Sequence, residues 1–135
     1  MDAQLGKVLK TLKEEGLEDK TIVVFTSDHG FHLGEHKFWM KVSLHEESVK
    51  VPLVIKLPQG VRGNNTCSSF VELVDLYPTL CELAGLEYSE HLQGKSLVPL
   101  LKNPDLSLRD MAFFVTQGGR TFCLRTDQYA FIQYD

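Results

Sequence analysis

The feature that most constrains the fold is the run Thr21-Ile-Val-Val-Phe-Thr26, which passes without a break into Ser27-Asp28-His29-Gly30. Its apolar residues are continuous rather than alternating, which predicts a strand covered on both faces, as in a parallel sheet. Upstream, Leu5, Val8, Leu9 and Leu12 recur at i, i+3, i+4 and i+7 with charged residues between them. That spacing predicts an amphipathic helix over residues 2–15, stopped at Gly16, with one face packed on a core. Helix, turn and buried strand in this order belong to an α/β fold, in which ligands bind outside the carboxyl ends of strands. Chemistry is therefore expected in residues 27–40.

Further along, residues 44–50 can form a short helix. Residues 51–57 read as a second apolar strand, with Pro52 at its start or on an edge. A helix over residues 74–83 is predicted to stop at Gly85 and, because of Pro78, to begin properly only near Leu76 or Tyr77. A helical turn follows at Leu97–Leu101. Three β-rich runs, 111–116, 120–126 and 129–134, are separated by Gly118-Gly119 and Asp127-Gln128, the pattern of an antiparallel meander. The expected organisation is an α/β part over residues 1–104 and a small antiparallel part over 105–135.

Composition excludes several classes. Fourteen Lys and Arg scattered among eighteen Asp and Glu, with a net charge of -4, form no basic stripe for nucleic acid. No run of eighteen apolar residues is present, so no membrane span is expected, and the first residues lack the apolar core of a signal peptide. Cys67, Cys81 and Cys123 are odd in number and lack CxxC spacing, so they predict buried thiols rather than a disulfide framework or a cysteine zinc site. Asn64-Asn65-Thr66 matches a glycosylation sequon but carries no functional weight here.

Within the strand-end segment, Asp28 offers a carboxylate at the rim of a sheet, a position suited to hard divalent cations. Gly30 would let the backbone turn sharply or approach a bound group closely. Out of context, an Asp-x-Gly is an ordinary turn, and a single lysine such as Lys41 is a solvated surface charge. His32, Glu35 and His36 form a rival metal constellation, since His-x3-His places two imidazoles on one helix face. Gly30 and Gly34 argue against that helix. His45 and His91 read as exposed or capping residues.

The longer pattern carries more. Ser27-Asp28-His29-Gly30, Leu33-Gly34-Glu35-His36, Trp39, Lys41, Glu46-Glu47-Ser48 and Val51-Pro52-Leu53 resemble, in order and spacing, the second signature region of type I sulfatases. The resemblance continues through Val74-Asp75-Leu76-Tyr77-Pro78-Thr79-Leu80, Ala84-Gly85-Leu86 and Gly94-Lys95-Ser96-Leu97. His29, where many sulfatases have Asn, points to the iduronate-2-sulfatase group. The resemblance implies the C-terminal part of an alkaline-phosphatase-like sandwich, with a small antiparallel subdomain at its end.

It also implies a calcium-dependent hydrolase of sulfate esters, such as those of a sulfated carbohydrate, with a hydrated formylglycine as nucleophile. By that analogy Asp28 and His29 sit at the metal, Lys41 reaches the sulfate and the ester oxygen, and His36 touches the sugar or hydrogen-bonds locally. His29 either ligates the cation or hydrogen-bonds the sulfate, because imidazole is a less natural calcium ligand than oxygen. The family's Cys-x-Pro-Ser-Arg and its paired Asp on a first strand are absent, so the nucleophile is expected outside this chain. The chain accordingly reads as a portion of a longer, exported enzyme, inactive alone and prone to oligomerise through uncovered surface. Two other readings compete: a phosphodiesterase or phosphonate hydrolase of the same superfamily, and a non-catalytic remnant. The Lys41, Glu-Glu-Ser and Val-Pro-Leu pattern favours the sulfatase.

Overall fold

The computed structural model describes residues 1–58, 65–116 and 118–134, so Asn64 of the sequon and part of the loop after Pro58 lie outside the described residues. The chain divides into two compact units, Met1–Ser27 with Pro52–Asn64, and Asp28–Val51 with Asn65–Asp135.

The first unit holds helix α1 (Asp2–Glu14) and strands β1 (Val23–Thr26) and β2 (Leu53–Lys56). The two strands pair antiparallel, with Val23 opposite Lys56 and Thr26 opposite Leu53. This corrects the parallel pairing expected from the apolar run. A parallel partner needs a crossover to the far end of the first strand, whereas residues 27–52 leave and return at the same end. All four β1 residues are half-buried, while Leu53 and Ile55 of β2 alternate with exposed Val54 and Lys56. The α1 stripe is only partly covered: Leu5 and Leu12 are half-buried, Val8 and Leu9 are exposed, and no residue of the helix is buried. Two four-residue strands offer too little surface to cover a three-turn stripe.

The second unit begins at Asp28 and contains α2 (Glu46–Val49), α3 (Leu76–Ala84), α4 (Val98–Lys102) and strands β3 (Ala112–Val115), β4 (Phe122–Arg125) and β5 (Ala130–Gln133). The strands form the expected antiparallel meander in the order β3-β4-β5. Pro78 is the third residue of α3, in the first turn, where its missing N–H costs little. Gly85 ends that helix at φ +67, a left-handed conformation that glycine adopts without steric penalty. Among the described residues, Leu44, Cys81, Leu97, Val98, Leu100, Ala112 and Cys123 are buried, as is Pro78.

Cys81 and Cys123 are buried thiols as expected, but Cys67 is exposed. Burial pushes the Cys123 thiol above its ordinary pKa, which keeps it protonated and unreactive. Among the described residues, no helix is long and apolar enough to cross a membrane.

Buried polar groups organise this unit. Asp75, fully buried, accepts the Glu72 N–H (2.8 Å), the Lys95 N–H (2.8 Å) and both terminal nitrogens of Arg109 (2.7 and 2.8 Å). Thr79, also buried, donates its hydroxyl to the Asp75 carbonyl and accepts the Leu97 N–H at 2.8 Å. Glu72 receives the Phe113 N–H at 2.7 Å, which fastens the start of β3 to the turn before α3. The Val74–Leu80 and Gly94–Leu97 stretches are therefore joined through one carboxylate and one hydroxyl.

Candidate functional site

Residues 28–48 form a folded loop that closes on itself. The His32 amide donates to the Met40 carbonyl (2.9 Å) and the Gly34 amide to the Phe38 carbonyl (3.0 Å), so the loop doubles back on a short two-sided ladder. Its tip, Glu35–Lys37, is a single 3-10 turn with His36 at φ 54 and Lys37 at φ 62. Glu35 steadies that turn by accepting the Leu33 N–H at 2.7 Å. The backbone N–H groups of Leu33 and Glu35 hold the Glu35 carboxyl below the usual carboxylate range. The His-x3-His helix of the rival metal reading does not form, because left-handed backbone at His36 is incompatible with a continuing helix. Among the described residues, no group of three or more His, Cys, Asp or Glu is arranged to hold a metal ion.

At the open end of the loop stand Asp28 and His29. The His29 Nδ1 lies 2.8 Å from the Gly30 carbonyl. A carbonyl can only accept, so Nδ1 carries the proton and Nε2 is the ring nitrogen turned toward Asp28. This is the orientation second-partner hydrogen bonds impose on metal-binding histidines. That Nε2 lies 3.4 Å from Asp28 Oδ2, so an imidazole and a carboxylate stand side by side. The Asp28 side chain is 84% exposed and that of His29 37% exposed, so both are accessible from solution. The pair fits a divalent cation as part of its shell, with the remaining ligands to come from elsewhere.

Gly30 makes a close approach, though to the chain itself rather than to a bound group. Its amide donates to the Ser48 carbonyl at 2.8 Å, and a Cβ built there would stand 2.0 Å from the Glu47 carbonyl oxygen. The start of the loop is thereby laid against α2. Lys41, exposed, follows Met40 on the returning side of the ladder, and its own carbonyl accepts the Ser43 N–H at 3.0 Å.

Behind this loop His32 and His36, which the sequence marks as a rival metal set, meet groups it does not mark, Ser43 and Arg125 among them. His32 is fully buried, with Nε2 at 2.6 Å from the Ser43 hydroxyl. His45 stacks on His36 with ring centroids 4.0 Å apart, and His36 Nε2 lies 3.5 Å from Glu47 Oε2. His36 is thus engaged locally while remaining about half exposed. Arg125 of β4 reaches Glu46 at 2.7 Å, holding the Glu46 carboxyl below its ordinary value and tying the meander to α2. No one-dimensional spacing marks these contacts, which arise only when the loop folds back.

Burial first, and then repulsion from His36 and His32, lowers the pKa of His45, with Glu47 opposing. The folded loop therefore favours neutral His45. The stability this contributes is present above the ordinary histidine value and is lost as pH falls through the lowered one. Taking the denaturation midpoint from about pH 7 to about pH 5 is expected to lower it, and His45→Gln should flatten that slope. An unchanged slope in the variant would reject the assignment to His45.

Comparison with known proteins bears on this geometry. The family model described as Sulfatase matches residues 1–86, and the chain belongs to the sulfatase family. It is 39% identical to arylsulfatase K of Bos taurus over 98% of this chain and 26% of that protein. It is 40% identical to an N-acetylglucosamine-6-O-sulfatase of Bacteroides thetaiotaomicron over 76% of this chain and 18% of the other. The chain thus spans about a quarter or less of the length of these curated relatives. Two solved structures superpose with a TM-score of 0.87 over 98% of the chain. One is a protein in complex with its substrate D-glucosamine-2-N,6-O-disulfate (32% identity, 29% of that chain). The other is a phosphonate monoester hydrolase from Silicibacter pomeroyi (28% identity, 30% of that chain). The expected fold, the C-terminal part of a sulfatase α/β sandwich, therefore holds. The named relatives are arylsulfatase K and an amino-sugar sulfatase, not the iduronate-2-sulfatase group that His29 had indicated.

Proposed function

We propose that this chain supplies the metal-side pair and the sulfate-side cation of a sulfatase that cleaves the sulfate ester of a sugar. The observation that carries the reading is the Asp28–His29 pair, whose Oδ2 and Nε2 stand 3.4 Å apart with the Nδ1 proton committed to Gly30. Asp28 and His29 would hold a calcium ion, which, when bound, neutralises sulfate oxygens and lowers the pKa of a hydroxyl beside it. The Lys41 ammonium would donate to a sulfate oxygen and to the bridging ester oxygen. There it offsets the negative charge that builds as the S–O bond breaks and the alcohol departs. The nucleophile, a hydrated formylglycine, comes from a cysteine outside this chain. His36, half exposed on the loop tip, is the residue offered to the sugar.

The substrate class is a sulfated carbohydrate, and an amino-sugar sulfate is better supported than an iduronate sulfate by the relatives this chain matches. Export to a periplasmic, secreted or lysosomal compartment belongs to the same proposal. The likeness to a phosphonate monoester hydrolase supports a second reading, since that fold matches as well as the other. The identities of 39 and 40% to sulfatases favour the first.

The full-length enzyme carrying this chain is expected to hydrolyse sulfated amino sugars and aryl sulfates in preference to phosphonate monoesters. Lys41→Ala should lower its kcat by about 10²–10³-fold, the usual cost of removing one transition-state charge partner. A higher kcat/KM on a phosphonate monoester, or full activity in Lys41→Ala, would reject this reading. The 135-residue chain by itself should show no turnover of an aryl sulfate, because groups that act as a unit leave no proportionate activity behind.

A further inference from the structure

We infer that His32 is the positioning residue for Lys41, backed by the Glu47 carboxylate. The inference rests on the reading of Lys41 given above. His32 brackets that lysine from both sides. Its backbone N–H holds the carbonyl of Met40, immediately before Lys41, at 2.9 Å. Its ring Nε2 lies 2.6 Å from the hydroxyl of Ser43, two residues after it. Ser43 in turn donates to Ser48 Oγ at 3.0 Å and accepts the His45 N–H at 3.2 Å. The Ser43 hydroxyl thus links the His32 ring to Ser48. Ser48, buried, also carries the carbonyl that accepts the Gly30 N–H, so the Asp28–His29 end of the loop is tied to the same anchor.

A long lysine side chain is a poor positioner of its own charge, since its rotamer entropy works against any one conformation. The backbone beneath it must therefore be held by other groups, and here the ties to its neighbours run to one fully buried residue, from Met40 to the His32 amide and from Ser43 to its ring.

The other face of that ring points to function rather than to packing alone. His32 Nδ1 is buried without a hydrogen-bond partner and faces Glu47 Oε2 at 4.0 Å; that oxygen is likewise buried and unpartnered, with His36 Nε2 at 3.5 Å. A core chosen only for stability would place an apolar side chain here, because an unpaired buried polar atom is destabilising. Retaining a histidine and a carboxylate in contact makes sense where orientation of the loop matters more than its stability.

The test uses the full-length sulfatase carrying this chain, with kcat and KM measured on a sulfate ester and melting temperatures alongside. His32→Leu is expected to lower kcat by about 10²-fold with KM nearly unchanged, since a displacement of about 1 Å at a catalytic group costs that much. His32→Gln, which can still hydrogen-bond Ser43, should recover most of the lost kcat, and Glu47→Gln should fall between the two. Wild-type kcat in His32→Leu alongside a strongly impaired Lys41→Ala would overturn this inference and leave the Lys41 reading intact. Equal loss of kcat in His32→Gln and His32→Leu, in step with melting temperature, would also overturn it by showing a purely structural role. An unimpaired Lys41→Ala would remove the catalytic reading and this inference with it.

Discussion

Replacement of Asp75 by alanine is expected to destabilise the second unit by about 3–5 kcal/mol, the cost of stripping one partner from a buried ion pair. The carboxylate is fully buried and its guanidinium partner only 10% exposed, so solvent cannot take over the lost contacts. Each carboxylate oxygen accepts one backbone N–H and one Arg109 nitrogen, with distances of 2.7 to 2.8 Å. Without Asp75, the Glu72 and Lys95 amides lose their acceptor. Among the described residues, the carboxylate that remains to Arg109 is that of Glu72, whose Oε2 is 3.0 Å from Nη1. Asp75→Asn should be nearly as damaging, because one oxygen becomes an NH2 donor turned toward two donors already there. Urea denaturation of the 135-residue chain, with hydrogen exchange at the Lys95 and Leu97 amides, measures both. An Asp75→Asn variant as stable as wild type would refute the four-donor account.

The same network shows what could be read from the sequence. The resemblance quoted Val74–Leu80 and Gly94–Leu97 as separate stretches, and the structure gives their physical link. Asp75 bonds Lys95, Thr79 bonds Leu97, and a Cβ on Gly94 would stand 2.1 Å from the Val74 carbonyl oxygen. Local signals served where the local chain decides the outcome, at the Gly85 stop, the late start of α3 before Pro78 and the three-stranded meander. They misjudged β1, since a continuous apolar run reports coverage of a strand but not the direction of its partner. For the candidate site, Asp28, His29 and Lys41 stand out in the sequence only as a pattern in order and spacing, and their roles belong to the proposal. His45 was set aside, yet it stacks on His36, and Glu47 faces both His36 and His32. Those contacts depend on the loop turning back through left-handed backbone at His36 and Lys37, which no residue there advertises.

Gly30 is where fold and chemistry meet most closely, and Gly30→Ala is expected to damage both. The new methyl carbon would stand 2.0 Å from the Glu47 carbonyl oxygen and 3.0 Å from its carbon, atoms of the backbone that no side-chain rotation can move. Either the Gly30–Ser48 hydrogen bond breaks or α2 is pushed outward, and overpacking of this kind costs about 1–3 kcal/mol. In the full-length enzyme the larger effect should be on turnover. A shift of about 1 Å at the segment that bears His29 and anchors the Lys41 loop lowers kcat by about 10²-fold. Gly94→Ala provides the comparison, because its methyl would meet the Val74 carbonyl oxygen at 2.1 Å, next to Asp75 rather than beside the Asp28–His29 pair. It should lower stability to a similar degree while sparing kcat under conditions where the variant is folded. If the two alanine variants lose kcat in the same proportion to their stability, Gly30 serves only to let the chain pack. A loss of kcat confined to Gly30→Ala would instead show that contact with α2 sets where the metal-side pair stands.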